Sequence, residues 1–90
     1  MMKHQFIKVY GRVQGVGFRY FTQKLAQKYN INGYVKNVQD HVEIDAQGNI
    51  EDVTAFTHAV IQGASPASNV DDYTIEVREI NKQLTTFKTE

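Results

Sequence analysis

Residues 33–46 read GYVKNVQDHVEIDA, two runs of alternating apolar and polar side chains around a short polar turn. Alternation with a period of two is typical of strands with one buried face, so residues 33–38 and 42–46 are predicted to be strands. The stretch 39–41 is too short for a parallel crossover and joins them as a hairpin. The sequence therefore predicts an antiparallel hairpin near the middle of the chain.

Helical periodicity flanks this hairpin on both sides. Before it, apolar residues recur at helical spacing from Phe18 to Tyr29, in a helix expected to end near Asn30 with Gly33 beyond. After it, Asn49 can cap a second helix that Gly63 closes, and acidic residues in its first turn suit the helix dipole. The stripes predicted to be buried are Phe18, Phe21, Leu25, Ala26 and Tyr29 in the first helix, and Val53, Phe56, Thr57, Val60 and Ile61 in the second.

Strand-like segments occupy the two ends of the chain. Residues 6–13 and 73–80 alternate apolar and polar side chains, residues 63–69 form a loop by composition, and a short strand is expected around residues 84–88. The order β-α-β-β-α-β, without repeats or linkers, predicts one domain over residues 1–90. Its fold class is α+β, a ferredoxin-like two-layer sandwich in which an antiparallel sheet of four to five strands carries two helices on one face.

Bulk composition limits the class of protein. Ninety residues, 41% hydrophobic and 22% charged, fit one domain with a single core. The lack of cysteine excludes a disulfide framework, a thiolate nucleophile and a cysteine-based zinc site. No run approaches the roughly 20 apolar residues that cross a bilayer, and residues 1–5 lack the apolar run of a signal peptide. We therefore expect a cytoplasmic protein without a membrane partner.

Charge is unevenly distributed along a chain whose net charge is zero. Residues 1–39 carry seven basic side chains and no acid, whereas residues 40–90 carry three basic and ten acidic ones. Zero net charge argues against a broad basic surface, so we expect no nucleic-acid partner. The asymmetry leaves the stretch from Arg12 to Arg19 without a nearby acid in sequence, where a small anion would bind favourably.

Residues 11–19, GRVQGVGFR, connect the first strand to the first helix. Gly15 and Gly17 let several main-chain N–H groups turn toward one point, where a helix N-terminus favours an anion. Arg19 adds a planar, permanently charged group that can bind two phosphate oxygens at once. Glycines before a helix also make ordinary turns, and such an arginine is often merely solvated. The spacing matches neither a P-loop nor a dinucleotide fingerprint, so nucleotide-driven chemistry is not expected.

Two motifs carry a resemblance to a known family. Residues 11–19 resemble the signature of the acylphosphatase family, and residues 33–37 resemble its second motif. Further matches are Val42-Glu43, Gln47-Gly48 and the loop from Gly63 to Pro66, so the resemblance spans nearly the whole chain. It implies the same ferredoxin-like fold and a small stand-alone hydrolase that cleaves the carboxyl-phosphate bond of acyl phosphates.

The resemblance also implies roles for individual residues. The arginine that closes the first motif binds the substrate phosphate and the asparagine that closes the second orients the attacking water; these are Arg19 and Asn37 here. We expect no metal and no cofactor, and main-chain N–H groups that cradle an acyl phosphate or inorganic phosphate. We expect a monomer. The predicted phosphate-binding residues are Gln14, Gly15, Val16, Gly17, Phe18 and Arg19.

Three positions depart from the family's pattern. Tyr34 stands where the second motif usually has tryptophan, a change expected to leave Asn37 in place. Asp40-His41 replaces Asp-Gly in the hairpin and puts a side chain where a positive φ is often needed, so a strained or reshaped turn is expected. Two residues separate Gly63 from Pro66, where the family has Gly-Pro. Hairpin stability and substrate access are therefore in question.

Other polar groups offer weaker alternatives. His41, Glu43 and Asp45 share one strand face and could ligate a metal, but an exposed polar face explains them better. His4 and His58 have no companion acid and nucleophile at a recognisable spacing, which leaves a serine triad without support.

Two alternatives from other functional classes remain open. Residues 15–21 echo the aromatic pattern of an RNA-recognition motif, although that pattern belongs on a strand and here opens a helix, where Phe18 and Phe21 are expected in the core. A non-catalytic anion sensor would keep the cradle but would not need Asn37. The sequence does not identify the physiological acyl group, and the edge at residues 84–88 could support dimerisation.

Overall fold

The computed structural model describes residues 1–90, and its elements follow the predicted order, including the short fifth strand. No helix is long and apolar enough to cross a membrane. The elements are β1 (Met2–Arg12), α1 (Phe18–Lys28), β2 (Asn32–Val38), β3 (His41–Asn49), α2 (Ile50–Ile61), β4 (Asn69–Arg78) and β5 (Phe87–Thr89).

The strands form one sheet in the order β4-β1-β3-β2-β5. β1 lies antiparallel between β3 and β4, and β2 pairs antiparallel with β3 through the predicted hairpin. β5 pairs with β2 in the parallel direction, so the sheet is mixed rather than wholly antiparallel as predicted. The chain crosses from one edge of the sheet to the other between β4 and β5, and it enters β5 running alongside β2. The architecture confirms the ferredoxin-like α+β sandwich.

The hydrophobic core lies between the sheet and the two helices. α2 contacts β1 and β3, whereas α1 contacts β2 and β5. Ile7, Val9 and Ile44 point from the two central strands toward the helices and are fully buried. Phe18 and Phe56 are the largest side chains in a cluster of 13 buried apolar residues. Burial of this apolar surface is the main force that holds the layers together.

Phe21 lies outside this core, contrary to the prediction. α1 buries Phe18, Thr22 and Ala26, which are four residues apart, and this stripe turns Phe21 toward the surface. The Phe21 side chain is 37% exposed. Phe21, although part of the predicted apolar stripe, therefore does not contribute to the buried core.

The polar face of β3 was predicted to be exposed, but it is partly covered. His4 Nε2 lies 2.8 Å from an Asp45 carboxylate oxygen, and His4 Nδ1 lies 2.6 Å from the main-chain oxygen of Glu79. His41 and Asp45 are buried, while Glu43 is half-buried. Sheet pairing of β1 with β3 brings Asp45 to His4, an acid that no spacing in the sequence indicated. No hydroxyl group hydrogen-bonds to His4, so a triad gains no support.

The hairpin turn differs from the expectation for Asp40-His41. His41 is the first residue of β3 and pairs with Val38, so the turn consists of Gln39 and Asp40. The positive φ, 54°, falls on Gln39. A positive φ is uncommon in residues other than glycine, so the unusual backbone conformation lies at Gln39 and not at His41. His41 instead packs against Tyr10, with ring centroids 5.0 Å apart.

Several element boundaries differ from the predicted ones. β1 begins before residue 6 because Met2–Gln5, which show no clear alternation, pair with the end of β3. β4 covers 69–78 rather than 73–80, and β5 covers 87–89 rather than 84–88. Asn49 occupies the predicted cap position, but its side chain makes no capping hydrogen bond. The N–H group of Ile50 donates instead to the main-chain oxygen of Met1, at 2.8 Å.

Candidate active site

The loop between β1 and α1 turns through two glycines in the left-handed region. Gly15 and Gly17 have φ angles of 73° and 76°, a conformation that costs other L-residues energy. A Cβ atom on Gly15 would meet no atom within 4 Å. Gly15 is therefore needed for its backbone conformation and not to avoid a clash, and the space beside it at the start of the helix is open.

The main-chain N–H groups of residues 14–20 donate no hydrogen bond within the chain. The next one, that of Phe21, donates to the main-chain oxygen of Gly17 at 3.1 Å and begins the regular helical pattern. Unpaired N–H groups at a helix start carry partial positive charge and favour an anion. The predicted cradle, residues 14–19, lies entirely within this unpaired run.

Arg19 lies in the first turn of α1 and is half-buried. Its Nη1 atom donates a hydrogen bond of 2.7 Å to the main-chain oxygen of Glu90. No aspartate or glutamate side chain pairs with Arg19, and its other N–H groups have no partner within the chain. One side of the guanidinium group is therefore anchored, and the other is available to a ligand.

Asn37 lies near the end of β2 with its side chain exposed. Strand alternation puts it on the same sheet face as the buried Val35, which is the face that carries the helices. That face brings Asn37 to the cavity at the start of α1, although 18 positions separate it from Arg19 in sequence. The two predicted catalytic residues thus line one cavity.

This cavity has a volume of about 460 Å³, within the range of about 300–1,000 Å³ usual for small-molecule sites. Its lining contains no aspartate, glutamate or histidine side chain. None of residues 63–69 lines it, so the altered Gly-Pro spacing does not reach the site. The lining residues are Val13, Gly15, Gly17, Phe18, Arg19, Tyr20, Gln23, Asn37 and Thr89.

Two residues of the predicted cradle do not line the cavity, Gln14 and Val16. The side-chain amide of Gln14 donates to the main-chain oxygens of Gln39 and His41, at 2.9 and 3.0 Å. Gln14 therefore ties the glycine loop to the hairpin that follows Asn37. Val16 packs its side chain against the core.

Four cavity residues were not among the predicted site residues: Val13, Tyr20, Gln23 and Thr89. Gln23 follows Arg19 by four positions, so helical spacing places both on one side of α1 and could have indicated it. Gln23 donates to the main-chain oxygen of Phe87 at 3.1 Å and accepts a 2.7 Å hydrogen bond from the Thr89 hydroxyl. No local pattern marks Thr89, which reaches the site only through the pairing of β5 with β2.

Metal-ligating side chains do not gather at this site or elsewhere. No group of three or more histidine, aspartate or glutamate side chains is arranged to hold a metal ion. The strand residues considered as ligands have other partners: Asp45 contacts His4, Glu43 accepts from Tyr34, and His41 packs against Tyr10. The cavity chemistry rests on a guanidinium group, amides and main-chain N–H groups.

Comparison with known proteins identifies one family. A sequence model of the acylphosphatase family matches residues 5–89. An acylphosphatase of Staphylococcus aureus (strain Newman) is 55% identical over 87 residues, 97% of this chain and 98% of the relative. The crystal structure of an acylphosphatase from Bacillus subtilis has a TM-score of 0.90 at 40% identity and covers 100% of this chain and 99% of that one.

A region of a much larger protein is also similar. The crystal structure of full-length HypF in the phosphate- and nucleotide-bound form matches with a TM-score of 0.91 at 32% identity, over 100% of this chain but 12% of HypF. The Staphylococcus and Bacillus proteins, in contrast, match over nearly their whole lengths. With the family model spanning almost every residue, the chain belongs to the acylphosphatase family.

Proposed function

We propose that Arg19 holds the phosphoryl group and Asn37 orients the attacking water when this enzyme hydrolyses acyl phosphates. The enzyme is an acylphosphatase, a hydrolase that acts on a small-molecule acid anhydride. The observation that carries the residue roles is the meeting of Arg19 and Asn37, from α1 and β2, in a cavity without acidic side chains.

Phosphate binding is assigned to the unpaired N–H groups of residues 14–20 together with Arg19. The N–H groups supply donors and a helix N-terminus, which stabilise negative charge on the phosphoryl oxygens. Arg19 adds a full positive charge whose geometry is fixed by its hydrogen bond to Glu90. Because phosphoryl transfer depends on positioning and on charge stabilisation, these groups supply much of what the reaction needs.

The leaving group explains why the cavity needs no acid. An acyl phosphate releases a carboxylate, whose conjugate acid has a pKa of about 4, so no protein side chain must protonate it. The water oxygen forms a bond to phosphorus as the bond from phosphorus to the acyl oxygen breaks. An acyl phosphate dianion and water thereby give a carboxylate and dihydrogen phosphate, with both water protons retained on the phosphate.

Asn37 is assigned the placement of this water. Its amide offers both an acceptor and donors, so it can orient a water molecule without acting as a base. Its exposed position at the end of β2 leaves the amide free of any hydrogen bond within the chain. The hairpin beyond it is held to the glycine loop through Gln14, which keeps Asn37 near the cradle.

Hydrolysis of benzoyl phosphate in the presence of EDTA tests the residue roles and the metal-free reaction together. We expect rapid turnover by the parent, a loss of about 1,000-fold or more in kcat/KM for Arg19→Ala, and about 100- to 1,000-fold for Asn37→Ala. Arg12→Ala and Asn49→Ala, two exposed residues outside the cavity, serve as matched controls and should stay near the parent. A folded Arg19→Ala enzyme with parental activity would overturn the assignment.

We further propose that the enzyme works as a cytoplasmic monomer with no nucleic-acid or membrane partner. The radius of gyration, 11.7 Å, is close to the ~12 Å of a compact chain of this length, and this is consistent with a monomer. Sedimentation at micromolar concentration should give the mass of one chain. Imaging of a tagged protein tests the location, and salt-dependent binding to single-stranded RNA would contradict the assignment of partners.

A further inference from the structure

An exposed aromatic pair stands at the mouth of the cavity. Tyr20 is 59% exposed and Phe21 37%, and their rings meet edge to face with centroids 5.2 Å apart at 88°. Neither belongs to the cluster of buried apolar residues. Since an aromatic side chain stabilises a small fold chiefly through burial, the fold does not account for Tyr20.

Tyr20 lines the same cavity as Arg19 and Asn37. Phe21 lies beside the glycine loop, since a Cβ atom added to Gly17 would be 3.7 Å from its ring. Phe21 in turn supports the Tyr20 ring through their edge-to-face contact. The Tyr20 ring therefore has Phe21 against one edge, while 59% of the residue stays exposed.

The rim is also positively charged. The Lys24 ammonium group lies 5.6 Å from the centroid of the Tyr20 ring. The cavity volume of about 460 Å³ is well above the ~30 Å³ share of one water molecule, so there is room beside the phosphoryl group for an acyl group. An anionic substrate with a flat apolar part matches both features.

We propose that Tyr20, supported by Phe21, is the surface that binds the acyl group, and that it favours substrates with a planar aromatic acyl group. This inference rests on the proposed function, because it needs the phosphoryl group to be held by Arg19 and the cradle. A phosphate held there leaves the acyl group directed along the cavity wall, where the Tyr20 ring provides the largest exposed apolar surface. Stacking on that ring strengthens binding of an aromatic acyl group and adds little for an acetyl group.

The test compares kcat/KM for benzoyl phosphate and acetyl phosphate. We expect the benzoyl-to-acetyl ratio to fall about 2- to 10-fold in Tyr20→Ala, as expected for loss of one aromatic contact. Tyr20→Phe should keep the parental ratio, since the ring is retained. Tyr73→Ala, which removes an exposed tyrosine from β4, is the matched control and should not change the ratio.

The outcomes separate this inference from the proposed function. If the parent hydrolyses neither substrate, the proposed function fails. If the parent hydrolyses both and Tyr20→Ala leaves the ratio unchanged, the acyl-binding role of Tyr20 is overturned while the hydrolase assignment stands. Alanine is a good helix former, so this variant is expected to fold, and circular dichroism verifies it.

Discussion

The Nη1 atom of Arg19 donates a 2.7 Å hydrogen bond to the main-chain oxygen of Glu90, 71 positions further along the chain. The contact exists because β5 joins the sheet beside β2 and carries the following residue over the start of α1. The N–H group of Glu90 donates in turn to the main-chain oxygen of Val35 at 2.8 Å. The sheet thereby anchors the group that orients Arg19, the residue proposed to bind phosphate.

Gln23 is expected to govern substrate binding through this anchor. The side-chain amide of Gln23 forms hydrogen bonds with Phe87 and Thr89, and these hold β5 against α1. Gln23→Ala should therefore let Glu90 move and leave Arg19 less well oriented. We expect KM for benzoyl phosphate to rise several-fold, with a smaller change in kcat, and stability to fall by about 1–2 kcal/mol. Gln27→Ala, an exposed glutamine one turn further along α1, is the control. Equal kinetics in the two variants would count against the anchor.

Gln14 offers a way to separate positioning from direct phosphate binding. Its side chain is engaged with the hairpin oxygens of Gln39 and His41 rather than with the cavity. Gln14→Ala should therefore lower kcat, because the hairpin next to Asn37 loses its hydrogen bonds to the glycine loop. The inhibition constant of inorganic phosphate should stay at the parental value. Initial rates with and without phosphate measure both quantities. A large rise in the phosphate inhibition constant would instead assign the Gln14 side chain to the cradle.

Local periodicity was sufficient for the helices and for the central strands. In β3, alternation correctly placed Ile44 toward the core and Asp45 on the opposite face. It could not predict that Asp45 is buried, because the side chains beside it, His4 of β1 and Arg78 of β4, are distant in sequence. The prediction for Phe21 was wrong because Thr22, a polar residue, occupies the core position that the apolar pattern had assigned to Phe21.

The two candidate catalytic residues could be named from motifs, but their shared cavity could not. Arg19 and Asn37 meet because β2 returns beside α1 within the sandwich, which is a property of the fold. Thr89 and the anchoring oxygen of Glu90 carry no local signal at all. Their place depends on a parallel pairing that a three-residue strand does not reveal in sequence.

Gly33 is expected to be intolerant of any side chain. Its φ is 142°, and a Cβ atom there would lie 1.8 Å from the main-chain oxygen of Asp45. Because the obstacle is backbone in the central sheet, Gly33→Ala should cost about 3 kcal/mol or more, measured by urea unfolding. Gly15→Ala is the matched comparison: with open space around its Cβ, it should lose only about 1 kcal/mol from its positive φ. Similar losses in both variants would show that φ alone, and not the clash, sets the cost.

Tyr34 is expected to make stability depend on alkaline pH. Burial raises the pKa of its phenol above the usual value of about 10, and the hydrogen bond to Glu43 raises that pKa further. The folded protein therefore holds this proton more tightly than the unfolded chain. The resulting stabilisation is complete below about pH 10 and is lost as the pH rises toward the folded pKa.

Urea unfolding between pH 8 and pH 11 measures this dependence. We expect the free energy of unfolding of the parent to decline above about pH 10, and Tyr34→Phe to decline less steeply because it has no proton to lose there. The slope, and not the stability at pH 8, is the readout, since the variant also leaves Glu43 without its donor. Tyr73→Phe, at an exposed position on β4, should retain the parental slope. Parallel curves for the parent and Tyr34→Phe would mean that this phenol titrates alike in the folded and unfolded chains.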